Sequence, residues 1–581
     1  MSEVSIENVF LSISVMKNVR DDISIVLAGA AGKGVQTVEG ILLSVLKGEG
    51  YPVFASKEYM SRVRGGSNST EIRIASKKPR AYVRSIDICF PFDKAAFTHL
   101  KPRLSPETLI IADERLVESG LDHRIVHAPI SSIAAELGNS LFENTVAAGV
   151  ILGILGADLS GLESFVEKRF AAKGEKTVEG NIEAGRQGYK IGQHLAYAEN
   201  IEVRLSRNAE IQKEMMLDGT EAISMGAIAG GCTFIASYPM SPSTGVLQFL
   251  AKESERFGIA VEQAEDEIAA INMGLGASYA GARALVTTSG GGFALMCEGV
   301  SLAGMMELPI VIHIAQRPGP ATGLPTRTEQ GDLELALYSG HGEFPRAIFA
   351  PGNHEEAIEV SQHAFNMAEK WQSPVFLLSD QYFLDTVATV PSEAFTILPE
   401  IRDIIETKKD YRRYEYSENG VSPRGVPGRG EGLVVSDSDE HTEDGHLTER
   451  LDTRVAMMEK RMKKLEGLIA DALPPVCLGA KKAETVLVGW GSTFGAIREA
   501  LEKSGREDIS FIHFRQVYPL PLGVERFFEG ARNIIVIENN YSGQFASLLE
   551  KHGAKVTERI VKYTGEPFSV EELCDTITKI Q

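Results

Sequence analysis

The sequence predicts an α/β protein with doubly wound sheets, and three observations support that fold class. Apolar runs of strand length alternate with stretches of helical periodicity along most of the 581 residues. Short glycine clusters follow several of these runs, in a chain that holds 56 glycines. Parallel α/β sheets place phosphate-bearing ligands at such strand–glycine–helix junctions. We therefore expect a protein that holds cofactors.

The first block of this pattern covers residues 22–198. It opens with a buried-strand pattern at 23–29, and an amphipathic helix through Leu46 follows the glycine-rich sequence GAAGKGVQT. Later strand patterns at 108–112 and 124–127 alternate with helical stretches. This order predicts a parallel sheet.

A second α/β block begins near Leu217. Each of its candidate strands is followed by a helical stretch, which predicts a doubly wound sheet. The candidate strands are residues 233–236, 260–263, 283–288, 309–315 and 347–350.

The pattern changes between residues 402 and 471, which are polar, charged and rich in glycine and proline. This composition predicts a long connection. Residues 453–473 form a predicted helix with Met, Leu and Ile on one face and Lys or Arg on the other. A third, smaller α/β block follows, with strands predicted at 485–492, 510–514 and 533–540.

Composition and charge exclude several classes of protein. The formal charge of −20 disfavours binding to nucleic acid or to anionic lipid. No apolar run has the length of a membrane span, and the first residues do not resemble a secretory signal. The five cysteines lie far apart without a CxxC pair, which argues against a disulfide framework, a zinc site or an iron–sulfur cluster in this chain. We therefore expect a cytoplasmic protein with no metal ligands of its own.

The sequence GAAGKG at residues 29–34 lies between a predicted strand and a predicted helix. In that position backbone N–H groups converge on one point, and Lys33 adds a mobile cation. The spacing fits neither a Walker A motif nor GxGxxG, so both a phosphate-bearing ligand and a tight turn that requires glycine stay open. Arg62 and Arg64 could meet a second phosphate or lie on a solvated loop.

Glu265, Asp266 and Glu267 are predicted to occupy the first turn of a helix that follows the strand at 260–263. Acidic residues there complement the helix dipole and need no further role. The small residues that follow, AAINMGLGASYAGA, predict a helix that lies flush against a neighbour. A carboxylate at the start of such a helix is also a candidate cofactor contact.

Four motifs in order closely resemble the α subunit of the 2-oxoacid:ferredoxin oxidoreductases. That family uses thiamine diphosphate to convert a 2-oxoacid and coenzyme A (CoA) to an acyl-CoA. GAAGKGVQT and RVRGG resemble the family's γ domain, fused here in front of α, and the stretch from GWGST to ENNYSGQ resembles a transketolase-type C-terminal domain. The four α motifs are YPMSPST at 238–244, QAEDEIAA at 263–270, TTSGGGFALM at 287–296 and QRPGPATGLPTRTEQGD at 316–332.

The resemblance covers residues 22–575 and implies a domain order. A γ-type domain related to CoA would occupy residues 1–200, and a doubly wound domain that binds the thiamine pyrimidine would occupy 201–401. A linker with an amphipathic helix would follow at 402–475, and a transketolase C-terminal-like α/β domain at 476–581.

The chain departs from the family pattern at four positions. Ser241 stands where the family usually has Thr, and Gly291 where it has Pro. Ala321 replaces a common Ser, and His313 replaces an acidic residue. The hydroxyl at position 241 is retained, so we expect activity to survive and substrate preference to be the property affected.

The resemblance also implies roles for individual residues of the thiamine site. The family's glutamate, which contacts N1′ of the aminopyrimidine and favours its imino tautomer, falls on Glu265, with Glu267 as the alternative. Tyr238 and Pro239 belong to the cofactor site. Helix-dipole compensation remains the alternative role for the acidic cluster.

Substrate and CoA contacts are implied in the same way. Ser241 and Arg317 match the positions that bind the 2-oxoacid carboxylate, and Thr326 matches a further substrate hydroxyl; a salt bridge remains the alternative for Arg317. The candidates for CoA phosphates are Gly29, Gly32, Lys33, Gly34 and Arg64.

The resemblance further implies a β subunit. This chain has no evident GDG followed by Asn for the magnesium and diphosphate, no cysteine cluster and no ferredoxin-like insertion. A β subunit would therefore supply Mg²⁺ and a 4Fe–4S cluster in an (αβ)2 heterotetramer that passes electrons to ferredoxin. A γα fusion paired with one β subunit is common among 2-oxoglutarate enzymes, with pyruvate and branched-chain 2-oxoacids as alternatives.

Two other classes of function remain open at this point. One is a thiamine enzyme without redox chemistry, such as a transketolase-like subunit, against which the γ-like domain argues. The other is a non-catalytic module that binds CoA or nucleotides, in which the acidic cluster is only a helix start.

Overall fold

The computed structural model describes residues 18–59, 67–116 and 124–580, and the strands in these ranges form four sheets. The chain folds into an N-terminal unit (residues 18–203), a middle unit (215–390), a connecting segment (391–475) and a C-terminal unit (476–580). The α/β fold predicted from the sequence is confirmed.

The N-terminal unit packs helices around a mixed sheet. Its strands β1–β8 are Asn18–Arg20, Asp22–Ala30, Val53–Glu58, Ser67–Ala75, Ile88–Pro91, Leu109–Asp113, Arg124–Ala128 and Ile201–Val203. Its helices α1–α6 are Val35–Gly48, Lys94–Leu100, Ile130–Glu136, Glu143–Leu155, Leu159–Phe170 and Glu175–Ala198.

The middle unit contains most of the motifs noted above. Helix α7 and strand β9 are Ala209–Lys213 and Met215–Asp218. Strands β10–β16 are Phe234–Ser237, Ala260–Gln263, Ala284–Thr288, Ile310–Gln316, Ala347–Phe349, Pro374–Asp380 and Val387–Val390. Helices α8–α15 are Gly219–Ala229, Thr244–Phe257, Glu267–Tyr279, Gly290–Leu295, Cys297–Met305, Leu333–Tyr338, His354–Trp371 and Gln381–Asp385.

The rest of the chain adds one long helix and a smaller sheet. Helix α16, Leu451–Ala470, ends the connecting segment. The C-terminal strands β17–β22 are Val476–Gly479, Thr485–Trp490, Ile509–Phe514, Gln516–Tyr518, Asn533–Glu538 and Glu558–Val561. Helices α17–α19 are Thr493–Ser504, Gln544–Lys551 and Val570–Lys579.

The N-terminal sheet is mixed, so the prediction of a parallel sheet was wrong in part. Its order is β7-β6-β5-β2-β4-β3-β16-β9. Strand β4 pairs antiparallel with both β2 and β3. Strands β16 and β9, which flank the middle unit in sequence, complete this sheet as antiparallel neighbours. The two units therefore share one sheet.

The middle sheet is the doubly wound sheet that the sequence predicts. Its order is β11-β10-β12-β13-β15-β14-β20, and β10 to β15 run parallel. Strand β20 comes from the C-terminal unit and pairs antiparallel with β14. The carboxyl ends of β10 to β13 lie at one edge, where such sheets bind ligands.

The connecting segment packs against the middle unit. Arg413 and Arg424 are buried, and their guanidinium groups donate to the backbone carbonyls of Glu307 (2.8 Å) and Ser278 (3.0 Å). The predicted helix is present as α16, and two lysines of its basic face, Lys460 and Lys464, are buried against Glu307. A buried carboxylate supplies the counter-charge that makes this burial possible.

Among the described residues, no helix combines the length and apolar character needed to cross a membrane. Within the same ranges, no group of three or more His, Cys, Asp or Glu side chains is arranged to hold a metal ion.

Candidate active site

Loops that follow β10, β12 and β13 meet at the carboxyl edge of the middle sheet. The hydroxyl of Ser289 lies 2.7 Å from the sulfur of Met240. Nη1 of Arg317 donates to the backbone carbonyl of Ser241 at 2.6 Å. The motifs that are scattered over almost 100 residues of sequence therefore form one site.

A glycine turn lies at the centre of this site. Residues 289–292 lead from β12 into α11, and a Cβ atom at Gly292 would lie 2.6 Å from Oε1 of Glu267. A Cβ atom at Gly290 would collide with the carboxylate of Asp332. Two carboxylates thus pack directly against the turn, and only glycine leaves room for them.

The structure separates the three acidic residues that the sequence places together. Helix α10 begins at Glu267, and Asp266 is its N-cap, accepting a hydrogen bond from the N–H of Ala269 at 2.7 Å. Glu265 precedes the cap and is exposed, so its predicted place in the first helical turn was wrong.

Glu267 is 3% exposed. Its Oε1 atom is buried and has no hydrogen-bond partner among the described residues. An unpartnered buried carboxylate oxygen is costly. A hydrogen-bond donor from a ligand would satisfy this oxygen.

Asp332 is a second carboxylate of the site, and the sequence alone did not identify it. Burial raises its pKa to about 7, Glu329 adds to that rise, and Arg317 opposes it. Its Oδ2 atom lacks a partner within the described ranges. Asp332 stands in the N-cap position of α13 but makes no capping hydrogen bond, so its side chain points elsewhere.

The remaining predicted residues of the middle unit lie in two places. Ser241 and Tyr238 are exposed and Pro239 is half-buried beside the site. Thr326 lines a cleft whose other walls come from Glu58 and Tyr82 of the N-terminal unit and from the C-terminal unit. The structure therefore groups Ser241 with Arg317 and puts Thr326 where three units meet.

His313, which replaces an acidic residue of the family pattern, lies below the site in β13. Its ring nitrogens are 2.8 Å from the hydroxyls of Thr287 and Ser379. Complete burial lowers its pKa to about 3, so the ring is neutral and links three neighbouring strands.

The glycine-rich loop of the N-terminal unit joins β2 to α1 as predicted. Gly32 and Gly34 have φ values of +85° and +88°, and a Cβ atom at Gly34 would collide with Asn144. The first turn of α1 has no acidic residue, and Lys33 is exposed. The helix terminus is therefore open to an anion.

One N–H of that loop is already engaged. The N–H of Ala30 donates to Oδ2 of Asp93 at 2.5 Å, and the other carboxylate oxygen of Asp93 caps α2. A ligand of the loop would therefore meet the start of α1 and not the end of β2. Arg62 and Arg64 lie outside the described residues.

Comparison with known families matches two parts of the chain. Residues 225–460 match the family described as "Pyruvate flavodoxin/ferredoxin oxidoreductase, thiamine diP-bdg". Residues 24–191 match the family described as "Pyruvate ferredoxin/flavodoxin oxidoreductase". The first match contains all the residues of the site described above for the middle unit.

Several known proteins resemble the chain over most of its length. The "2-oxoacid:ferredoxin oxidoreductase subunit alpha" of Sulfolobus sp is 31% identical over 627 residues, covering 96% of this chain and 97% of that protein. The "2-oxoglutarate oxidoreductase subunit KorA" of Mycobacterium tuberculosis is 29% identical over 447 residues, covering 74% and 67%.

A solved structure matches the fold. It is a 2-oxoglutarate:ferredoxin oxidoreductase from Magnetococcus marinus with 2-oxoglutarate, coenzyme A and succinyl-CoA bound. It is 28% identical, with a TM-score of 0.90, and the match covers 96% of this chain and 99% of that one. Fold, site and sequence agree: the chain belongs to the α subunits of the thiamine-diphosphate-dependent 2-oxoacid:ferredoxin oxidoreductases.

Proposed function

We propose that this chain, together with a β subunit, converts 2-oxoglutarate and CoA to succinyl-CoA and CO₂ with electrons passed to ferredoxin, or carries out the reverse carboxylation. The relative solved with 2-oxoglutarate, CoA and succinyl-CoA bound supports the substrate, as does the name of the Mycobacterium tuberculosis relative. The observation that carries the proposal is the unpartnered Oε1 of Glu267 against the glycine turn, beside Arg317 and Ser241.

Glu267, and not Glu265, is the proposed partner of the aminopyrimidine N1′. Glu267 is buried, is fixed at the first residue of α10 and has a free oxygen, whereas Glu265 is exposed. When bound, thiamine diphosphate supplies the nucleophilic carbon and the electron sink that decarboxylation of a 2-oxoacid requires. Glu267 would accept the N1′ hydrogen bond in a site from which its burial excludes water.

Arg317 would hold the carboxylate of the 2-oxoacid. One of its nitrogens already donates to Ser241, which fixes the plane of the guanidinium while other N–H groups remain for a substrate. Ser241 itself is exposed. Thr326 lies in the cleft between units, so its hydroxyl would act in the step that involves CoA, which we assign to the N-terminal unit.

Exposed apolar side chains on α10 and α11, the two helices that hold Glu267 and pack against it, support a shared site. Ile268 and Met273 on α10 and Leu295 on α11 are 47%, 42% and 54% exposed. Such large exposed apolar side chains become buried where a partner protein binds. A β subunit seated there would close the site and supply Mg²⁺, the diphosphate contacts and the 4Fe–4S cluster, in an (αβ)2 assembly.

The proposed CoA contacts involve the N-terminal unit. The open start of α1, with Gly32, Gly34 and exposed Lys33, suits a phosphate. Gly29 lies at the end of β2 and allows the chain to pass close to Phe92. Arg64 would add a second cation.

The test is co-expression with the β subunit, followed by CoA-dependent dye reduction with 2-oxoglutarate, pyruvate and a branched-chain 2-oxoacid. We expect the highest kcat/KM with 2-oxoglutarate, and a colourless, inactive preparation of this chain alone. A preference for pyruvate would overturn the substrate assignment. Iron bound by this chain alone would overturn the shared site.

A further inference from the structure

Gln330 joins the substrate loop to the C-terminal unit through every polar group it has. It is fully buried. Its N–H donates to the carbonyl of Asn539 at 2.6 Å, and its Oε1 accepts from the N–H of Asn539 at 2.9 Å. Its Nε2 donates to the carbonyl of Trp490 at 2.8 Å, and its carbonyl accepts from Nδ2 of Asn540 at 3.1 Å. All four hydrogen bonds are made with residues of the C-terminal unit.

The C-terminal residues that hold Gln330 are themselves fixed by a buried carboxylate. Oε2 of Glu538 accepts from Nε1 of Trp490 (3.1 Å), from Nδ2 of Asn540 (2.9 Å) and from the N–H of Phe545 (2.8 Å). Glu538 is fully buried. A fully satisfied buried network of this kind is rigid. It accounts for the ENN sequence at 538–540, to which the proposed reaction gives no role.

Further contacts extend along the same loop. Gln544 of α18 donates from Nε2 to the carbonyl of Gly331 at 2.8 Å and accepts from the N–H of Glu334 at 3.0 Å. The N–H of Asp332 donates to Oε1 of Gln316, the residue before Arg317, at 3.0 Å. The hydrogen bond between Gln316 and Asp332 therefore joins the two ends of the loop that runs from Arg317 to Asp332. The C-terminal unit holds the end of the loop that contains Gln330 and Gly331.

We propose that Gln330 is a positioning residue, through which the C-terminal unit sets the placement of Arg317 and Asp332 in the substrate site. This inference rests on the proposed role of Arg317. Gln330 acts through the loop and does not touch the substrate. Displacement of a binding cation by about 1 Å is enough to cost on the order of a hundred-fold in rate. Through its contacts with Gln330, the C-terminal unit would therefore control substrate binding.

The experiment compares three variants in the assembled complex with the β subunit. Gln330→Ala removes the two hydrogen bonds that the Gln330 side chain makes with the C-terminal unit. Gln544→Ala removes the hydrogen bonds of the half-buried Gln544 side chain with Gly331 and Glu334. Arg515→Ala is the matched control, because it breaks a contact of the C-terminal unit with Glu359 on α14 (2.7 Å) instead of one with the loop. The measurements are KM and kcat for the preferred 2-oxoacid, KM for CoA, and thiamine diphosphate content.

We expect Gln330→Ala to raise KM for the 2-oxoacid by about ten-fold or more, with CoA KM and thiamine content unchanged. Gln544→Ala should raise KM for the 2-oxoacid by a smaller factor. If the Gln330→Ala chain does not assemble with the β subunit, the Gln544→Ala result tests the proposal. Hydrogen exchange of residues 317–332 should rise in the Gln330 and Gln544 variants and stay constant in Arg515→Ala.

An unchanged 2-oxoacid KM in both loop variants, or an equal rise in the Arg515→Ala control, would show that these contacts only hold the units together. Each variant is compared with the wild-type complex on whichever 2-oxoacid that complex prefers. A different preferred substrate would therefore refute the proposed function without affecting this test.

Discussion

Nη1 of Arg317 lies 2.6 Å from the backbone carbonyl of Ser241, and this hydrogen bond links the loops that follow β13 and β10. A neutral carbonyl, not a carboxylate, is the partner. The guanidinium therefore keeps its positive charge available, although burial lowers its pKa. In a chain of formal charge −20, such a local cation is what an anionic substrate needs.

Replacement of Arg317 by Ala should lower kcat/KM for the 2-oxoacid by roughly thirty- to a thousand-fold. The loss corresponds to about 2–4 kcal/mol for one charge-assisted contact in a partly desolvated site. Arg317→Lys should recover only part, because an ammonium cannot form two parallel hydrogen bonds. Steady-state kinetics of the thiamine-loaded complex measure this, and near-normal kcat/KM in Arg317→Ala would refute the assignment.

Glu267→Gln should abolish turnover, whereas Glu265→Gln should retain most of it. The amide at position 267 cannot supply the negative charge that favours the imino tautomer, while the exposed Glu265 has no such contact to lose. Turnover and thiamine diphosphate content are measured together for both complexes. The reverse pattern would return the role to Glu265, and full turnover in both variants would leave the acidic cluster as a helix start.

Gly292→Ala should destabilise the protein and reduce activity, because the new Cβ would lie 2.6 Å from Oε1 of Glu267. Overpacking of this kind costs about 1–3 kcal/mol. Gly291→Ala is the control in the same turn, since its Cβ would lie at an ordinary 3.6 Å from the carbonyl of Ala321. Thermal unfolding compares the two, and equal Tm values would contradict the close packing of the turn.

The carboxyl of Asp332 should make stability depend on pH. Its pKa is raised from 3.8 to about 7 in the folded protein, so between these values the folded state binds more protons than the unfolded state. Stability then falls as pH rises from about 4 to about 7 and is constant above that range with respect to this group. The full effect is at most about 4 kcal/mol.

Asp332→Asn removes this dependence, because the amide stays neutral. The variant should match wild type near pH 4 and exceed it in Tm at pH 8. Thermal unfolding over that range measures the difference. A constant difference in Tm between the two proteins would show that Asp332 does not titrate in this window.

The double change Lys33→Ala and Arg64→Ala should raise KM for CoA more than KM for the 2-oxoacid. Both side chains are cations proposed to meet CoA phosphates near the start of α1. Titration of each substrate at saturating levels of the other measures the two constants. An equal rise in both would indicate a folding defect or a different CoA site.

The sequence predicted the strands of the middle sheet closely because their signals are local. Strand β11 has its predicted bounds, and β10, β12 and β13 begin and end within one residue of theirs. The antiparallel placement of β4 was missed, since SNSTEIRIA at 67–75 alternates with polar residues and its partners are set by tertiary pairing. Local periodicity predicts an element, but not its neighbours.

The site was predictable to the level of motifs but not of single atoms. Three consecutive acidic residues each satisfy the preferences of a helix start, and only the folded chain shows that Asp266 caps α10 and Glu267 turns inward. Asp332 packs against Gly290, and Gln330 contacts Asn539, which lies 209 positions further along the chain. No pattern within one sequence segment contains that information.

The sheet shared by the N-terminal and middle units has a consequence for synthesis of the protein on the ribosome. The edge of β3 stays without its neighbour β16 until residues 387–390 have been made. While the ribosome translates from position 215, where β9 begins, to position 387, where β16 begins, an unpaired strand edge is available to other chains. The nascent chain therefore depends on completing its middle unit quickly, and a truncation just before residue 387 should aggregate rather than yield a free N-terminal domain.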